Sequence, residues 1–207
     1  MRRKHFLQSV LGASAFLGLP FTALGNDSTT IQELINNTKR DVKGIMFGFA
    51  ADPISKVRVG IIGLGNRGNT LLEMFQYLVE NEMAEVIALS DISEKKVTKA
   101  AEKLAVWQSN KPVLYHKSKM EWKKLAKRDD IDLVIIATPW DLHTPMAIYS
   151  MENGKHVGSE VPIASTIEDC WKIIETTERT QKHCMMMENC NYNEEELWVL
   201  NMIQEGV

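Results

Sequence analysis

Val57-Arg58-Val59-Gly60-Ile61-Ile62-Gly63-Leu64-Gly65-Asn66-Arg67-Gly68 is the stretch that decides the fold. Its first half is a short β-branched run closed by glycine, the pattern of a strand buried on both faces of a parallel sheet. Its second half reads G-x-G-x-x-G, and Leu71, Phe75 and Leu78 follow at helical spacing. Strand, glycine turn and helix in that order make a phosphate cradle. Gly63 permits the tight turn. Gly65 lets backbone approach a pyrophosphate where any Cβ would intrude. Gly68 lets the helix pack close on the strand. The N–H groups of the helix start, around Asn66 and Arg67, then face the phosphates with the positive dipole end behind them. The plain alternative is a structural glycine turn in an α/β domain.

Outward from this stretch, strand and helix alternate. Glu85-Val86-Ile87-Ala88-Leu89 is a second buried strand, and Asp91 stands at its end, 23 residues after Gly68. A carboxylate there accepts hydrogen bonds from the adenosine ribose and repels a 2′-phosphate, which favours NAD(H) over NADP(H). Arg67 pulls the other way, because a nearby arginine can accommodate that phosphate. Ser93 is a candidate N-cap for a helix whose Val97, Ala101 and Leu104 share one face. Residues 113–115 read as a weaker strand, residues 118–128 as a helix, and residues 131–137 as the clearest buried strand. Pro145 suits the first turn of the next helix, which ends near Gly154. His156-Val157-Gly158 is a short strand, and Thr166 caps a helix carrying Ile167, Trp171 and Ile174. Residues 184–187 form the last strand, and residues 193–204 a final helix with Leu197 and Leu200 inward. The expected class is α/β: a doubly wound parallel sheet with right-handed crossovers.

Composition agrees with one folded unit. The chain has 207 residues, 44% hydrophobic and 25% charged, which excludes wholesale disorder. A net charge of −3 without polybasic runs speaks against nucleic acid and anionic lipid as partners. Cys170, Cys184 and Cys190 are too few and too badly spaced for a disulfide framework or a zinc site, and read as buried free thiols. No metal is expected.

The N-terminus reads as an address. Arg2-Arg3-Lys4 is a basic region, residues 6–24 are apolar but rich in glycine, alanine and serine, and Ala23-Leu24-Gly25 offers a cleavage site before Asn26. Residues 1–25 are therefore expected to be a signal peptide. The run Arg3-Lys4-His5-Phe6-Leu7-Gln8 resembles a twin-arginine export signal with Lys4 in the place of the second arginine. Export to the periplasm follows, by the twin-arginine route with the Sec route as runner-up. No cysteine near the cut offers a lipid anchor, and no later run is long enough to span a bilayer. Residues 26–56 read as a surface arm, and residues 57–207 as the dinucleotide-binding domain.

Two further loops fall at carboxyl ends of strands, where ligands bind in open α/β sheets. One is Thr138-Pro139-Trp140-Asp141-Leu142-His143, the other Ser159-Glu160-Val161-Pro162. Trp140 could stack on a ring or cap the sheet edge. His143 could donate to a ligand or shuttle a proton, or be a solvated first-turn residue. Glu160 is a site carboxylate or a loop cap. Asn189, after the last strand, could hydrogen-bond a carboxamide or sugar, or satisfy a local turn. Tyr192 is equally core or site. Glu194-Glu195-Glu196 complements a helix dipole.

Together, the glycine loop, Ala137-Thr138-Pro139, Gly154-Lys155-His156-Val157 and Glu160-Val161-Pro162 resemble the N-terminal domain of the Gfo/Idh/MocA-type NAD(P)-dependent oxidoreductases. That family normally has E-K-P, with its lysine in acid/base chemistry beside the nicotinamide. Here the position is Val161, which carries no proton. The leader, Val57 to Gly68, Thr138-Pro139-Trp140-x-x-His143, Glu160-Val161-Pro162 and Met187-Glu188-Asn189 resemble one branch, glycoside hydrolase family 109, the NAD-dependent α-N-acetylgalactosaminidases. The resemblance implies bound NAD contacted by Asn66, Arg67, Asp91, Trp140, Asp141, Leu142, His143, Glu160, Val161 and Asn189. It implies an N-acetylgalactosaminide substrate, transient oxidation at C3, elimination across C1–C2, water addition and return of the hydride. The paired carboxylates of ordinary glycosidases are then unnecessary. It also implies a second α+β domain beyond Val207 that carries the catalytic side chains, so the chain is expected to be truncated and inactive alone. An exported sugar oxidoreductase and an inert NAD-binding module are the other two readings, and oligomeric state is open.

Overall fold

A buried parallel strand needs apolar side chains on both faces, and the central strands here supply them. In a computed structural model, which describes residues 46, 48–189 and 193–206 within the unit Val42–Val207, six strands form one sheet. They are β1 (Val57–Ile62), β2 (Ala84–Ser90), β3 (Val113–Tyr115), β4 (Leu133–Ile136), β5 (His156–Ser159) and β6 (Cys184–Met186). Their order is β3-β2-β1-β4-β5-β6, and every neighbouring pair is parallel. The order reverses between β1 and β4, which opens a crevice at the carboxyl ends of those strands.

The helices among the described residues are α1 (Asn66–Glu80), α2 (Glu94–Leu104), α3 (Trp122–Ala126), α4 (His143–Glu152), α5 (Ile167–Thr180) and α6 (Glu194–Glu205), and the first four pack on the two faces of the sheet. On one face, Val59, Ile61, Val86 and Leu89 pack with Leu71 and Leu72 of α1 and Val97, Ala100 and Leu104 of α2. On the other, Ile62, Ala88, Val134 and Ile136 pack with Leu125 of α3 and Met146, Ala147 and Met151 of α4. Each such leucine or isoleucine contributes about 1.5–3 kcal/mol through burial. Gly60 makes room on the second face, where a Cβ would lie 2.7 Å from the Leu125 side chain.

The amino-terminal edge is tied electrostatically. Arg58 donates from Nε and Nη2 to the two oxygens of Asp132, at 2.9 and 2.6 Å, and its backbone N–H donates to Oδ2 at 2.8 Å. These bonds hold the Asp132 carboxyl below the usual carboxylate range, against the opposing effect of partial burial.

Several sequence expectations change. The helix expected over 118–128 is regular only over Trp122–Ala126, and the strand expected over 131–137 only over Leu133–Ile136. Ser93 occupies the N-cap of α2 but makes no side-chain cap bond; its N–H donates to Asp91 instead. Thr166 does cap α5, accepting from Asp169 N–H at 3.1 Å. Leu197 and Leu200 are not inward, being 47% and 51% exposed on α6, which has no buried residue. Cys170 is an exposed thiol rather than a buried one, while burial pushes the Cys184 thiol up to about 12. The leader, most of the arm, Cys190 and Tyr192 lie outside the described residues. Among the described residues, no helix is long and apolar enough to cross a membrane.

Candidate functional site

The three glycines of the loop after β1 answer to different neighbours. Gly63 has φ +90°, and a Cβ there would lie 2.5 Å from the Ala137 carbonyl oxygen at the end of β4. A Cβ on Gly68 would lie 1.9 Å from the Gly63 carbonyl oxygen. The protein itself therefore requires both residues to be glycine. Gly65 differs: its backbone is extended, and a Cβ there would meet nothing within 4 Å. Packing gives no reason for glycine at that position, whereas a ligand pressed against the backbone would. Gly65 is also the N-cap of α1 and offers no side chain to the first-turn N–H groups, which stay available to an anion. The loop thus fits a dinucleotide phosphate.

Asp91 stabilises the loop from the end of β2. Its Oδ2 accepts the Leu64 N–H at 2.8 Å, and its Oδ1 accepts the Ser93 N–H at 2.9 Å. These bonds fix the orientation of the carboxylate and leave further lone pairs on both oxygens for hydroxyl donors. Asn69, which the sequence reading passed over, holds the same loop. Its Nδ2 donates to the carbonyls of Leu64 and Gly65 at 2.8 and 3.0 Å. An amide side chain in the first helical turn after the glycine motif was the available signal.

Arg67 turns away from Asp91. Its Nε donates to Glu160 Oε1 at the end of β5, and its Nη2 donates to Asn189 Oδ1 after β6 at 2.6 Å. β5 and β6 lie on the opposite side of β1 from β2, so the guanidinium is not placed beside Asp91 to receive a 2′-phosphate. Glu160 is buried and paired, not a solvated cap.

His143 is the first residue of α4 and is 1% exposed, so it is not a solvated first-turn residue. Its Nε2 lies 2.7 Å from the Thr138 carbonyl oxygen, and its Nδ1 lies 2.8 Å from that of Pro162. Each ring nitrogen faces a backbone carbonyl, and a neutral ring donates to one of the two, so the ring stands between the loop after β4 and the loop after β5. Thr144 supports it, donating to the Ile163 carbonyl at 2.9 Å. Trp140, in a short 3-10 turn with Asp141 and Leu142, is 67% exposed.

Arg67, Ala137, Thr138, Trp140, His143, Glu160 and Val161 together line a cavity of about 210 Å³ over the carboxyl ends of β4 and β5. Ala137 and Thr138 are its additional lining residues. Asp141 is not part of this group. It lines a larger cleft of about 480 Å³ against α4 and α5, with Lys172 and Glu152. That cleft has no glycine loop, so the smaller cavity is the candidate site. Leu142 belongs to neither lining. Asn66 is exposed at the start of α1, and Asn189 is exposed beyond β6.

Comparison with known proteins agrees with this geometry. A family model described as "Oxidoreductase family, NAD-binding Rossmann fold" (Gfo/Idh/MocA) matches residues 57–188. The chain is 42% identical over 207 residues to a Shewanella oneidensis protein named alpha-N-acetylgalactosaminidase, covering all of this chain and 43% of that protein. It is equally similar to glycosyl hydrolase family 109 protein 1 of Shewanella sp. strain ANA-3, with the same coverage. The chain therefore spans less than half the length of these relatives. Among solved structures, the WlbA dehydrogenase from Chromobacterium violaceum, in complex with NADH and UDP-GlcNAcA, is 25% identical with a TM-score of 0.64. That match covers 75% of this chain and 42% of the other. An NAD-binding protein from Listeria innocua is 29% identical with a TM-score of 0.58, over 72% of this chain and 40% of the other.

Proposed function

The chain belongs to the Gfo/Idh/MocA oxidoreductase family with an NAD-binding Rossmann fold, and on that premise we propose that it serves an exported glycosidase acting on N-acetylgalactosaminides. The observation that carries this reading is the cavity at the ends of β4 and β5. Val161 stands in the family's lysine position, each His143 nitrogen faces a backbone carbonyl, and Glu160 is paired with Arg67. This segment therefore offers a cofactor site without a free acid/base side chain in that cavity. The 42% identity with a protein named alpha-N-acetylgalactosaminidase supports the substrate class.

When bound, NAD supplies reversible removal and return of hydride at C3 of the sugar. The chain's own residues bind and orient. The first-turn N–H groups of α1, around Asn66, receive the diphosphate, and Gly65 allows the close approach. Asp91 accepts the adenosine ribose hydroxyls. Trp140 presents a flat apolar face, and Trp140 and His143 border the site. Glu160, Val161 and Asn189 shape its far wall. The proton lost from the C3 hydroxyl, the proton at C2 and the proton taken up by the oxygen leaving C1 are handled by groups other than those lining this cavity. Residues 1–25 direct the protein to the periplasm by the twin-arginine route.

The test is the native polypeptide with an aryl N-acetyl-α-galactosaminide in D2O. Expected are release of the aryl group, deuterium at C2 of the freed sugar and no net NADH. NADH accumulating with free sugars, or hydrogen retained at C2 of the product, would sink the glycosidase reading and favour a sugar dehydrogenase.

A further inference from the structure

Arg67 connects three loops at the carboxyl edge of the sheet. Its backbone lies in the first turn of α1, directly after the glycine loop, while its guanidinium grips Glu160 after β5 and Asn189 after β6. Glu160 is 7% exposed, so the arginine's charge meets a carboxylate that has little water of its own. The loop carrying Glu160 is held a second time from α4. His143 Nδ1 lies 2.8 Å from the Pro162 carbonyl oxygen, and the Thr144 hydroxyl donates to the Ile163 carbonyl. The Glu160–Val161 wall is thus fixed from both sides before any ligand arrives. The arginine's charge is paired with Glu160, and the two of its five N–H groups that bond here aim the fork at Glu160 and Asn189 rather than along the glycine loop. A doubly wound sheet binds the two mononucleotide halves on either side of its switch point, and Asp91 at the end of β2 marks the adenosine half. The partners of Arg67 lie on the other side, at β5 and β6.

We infer that Arg67 is a positioning residue for the nicotinamide half of the site, acting through Glu160 and Asn189, and not a phosphate-binding cation. This rests on the dinucleotide site proposed above. It predicts that weakening the grip selects against the nicotinamide and leaves the adenosine diphosphate half untouched.

The test is calorimetric titration of the 207-residue chain with NAD+ and with ADP-ribose, which has the adenosine ribose and diphosphate but no nicotinamide. Arg67→Lys keeps the charge and loses the fork that reaches both partners. Asn189→Ala removes one partner at an exposed position. Expected is about a tenfold loss of NAD+ affinity in each variant, with ADP-ribose affinity unchanged within about twofold. The double variant is no weaker than Arg67→Lys alone, because the two residues act as a unit. Retained ADP-ribose binding also certifies folding. A parallel loss of ADP-ribose affinity in Arg67→Lys would overturn the inference, as would full NAD+ affinity in Asn189→Ala. Failure of the site assignment itself looks different: the unmodified chain binds neither ligand, or Asp91→Ala leaves ADP-ribose affinity unchanged.

Discussion

Gly65 and Gly68 belong to one motif and are glycine for opposite reasons. A methyl group on Gly68 collides with the Gly63 carbonyl oxygen at 1.9 Å, so Gly68→Ala is expected to cost about 3 kcal/mol or more in a denaturant melt. A methyl group on Gly65 meets nothing within 4 Å, so Gly65→Ala should leave stability within about 0.5 kcal/mol. The same Gly65→Ala change should weaken NAD binding at least tenfold, because the methyl occupies the space the diphosphate needs. A stable Gly65→Ala variant with unaltered NAD affinity would show that the phosphate lies elsewhere. At this scale the sequence exposed the motif but not the division of labour within it. The spacing of three glycines is visible in one dimension, and the contacts of an absent Cβ are not. His143 shows the same limit. Its type suggested proton chemistry, yet its two carbonyl partners come from Thr138 and Pro162, and only the folded loops bring them together.

At the scale of elements, the strands were readable because burial on both faces leaves a nearly unbroken apolar run. The helices were readable where one face is buried, as in α1 and α2. α6 shows why the rest was not: its Leu197 and Leu200 read as inward, but no described element covers that helix. Hydrophobic period alone does not say what will be packed against it. The Arg58–Asp132 pair, which joins β1 to β4, makes a pH-dependent prediction. The folded Asp132 carboxyl titrates below its unfolded counterpart, so its stabilisation is complete above about pH 4 and is lost as pH falls through the lowered folded value. Because the Arg58 side chain is 43% exposed, the pair contributes only about 1 kcal/mol. Asp132→Asn should lower Tm at pH 7 by about 2–4 °C and flatten the acid limb of the stability curve. An acid limb identical to that of the unmodified chain would remove Asp132 from that account.

At the scale of the whole molecule, the sheet order puts the glycine loop and Asp91 on one side of the switch point and the Glu160–Val161 wall on the other. A dinucleotide can lie across such an edge. The sequence made the dinucleotide reading accessible because strand, glycine turn, helix and acidic residue are consecutive. The pairing of Arg67 with Glu160 and Asn189 was not accessible, since it spans 93 and 122 residues. A selectivity is predicted from the same arrangement: Asp91, at the end of β2, is expected to meet the adenosine ribose, while the Arg67 guanidinium is bonded to Glu160 and Asn189 on the other side of β1. The most direct measurement is calorimetric titration of the chain with NAD+ and NADP+, repeated on Asp91→Ala. NAD+ should bind at least tenfold more tightly than NADP+, and the gap should narrow in Asp91→Ala through loss of NAD+ affinity. Equal affinity for the two dinucleotides, or NAD+ binding indifferent to Asp91, would contradict the account.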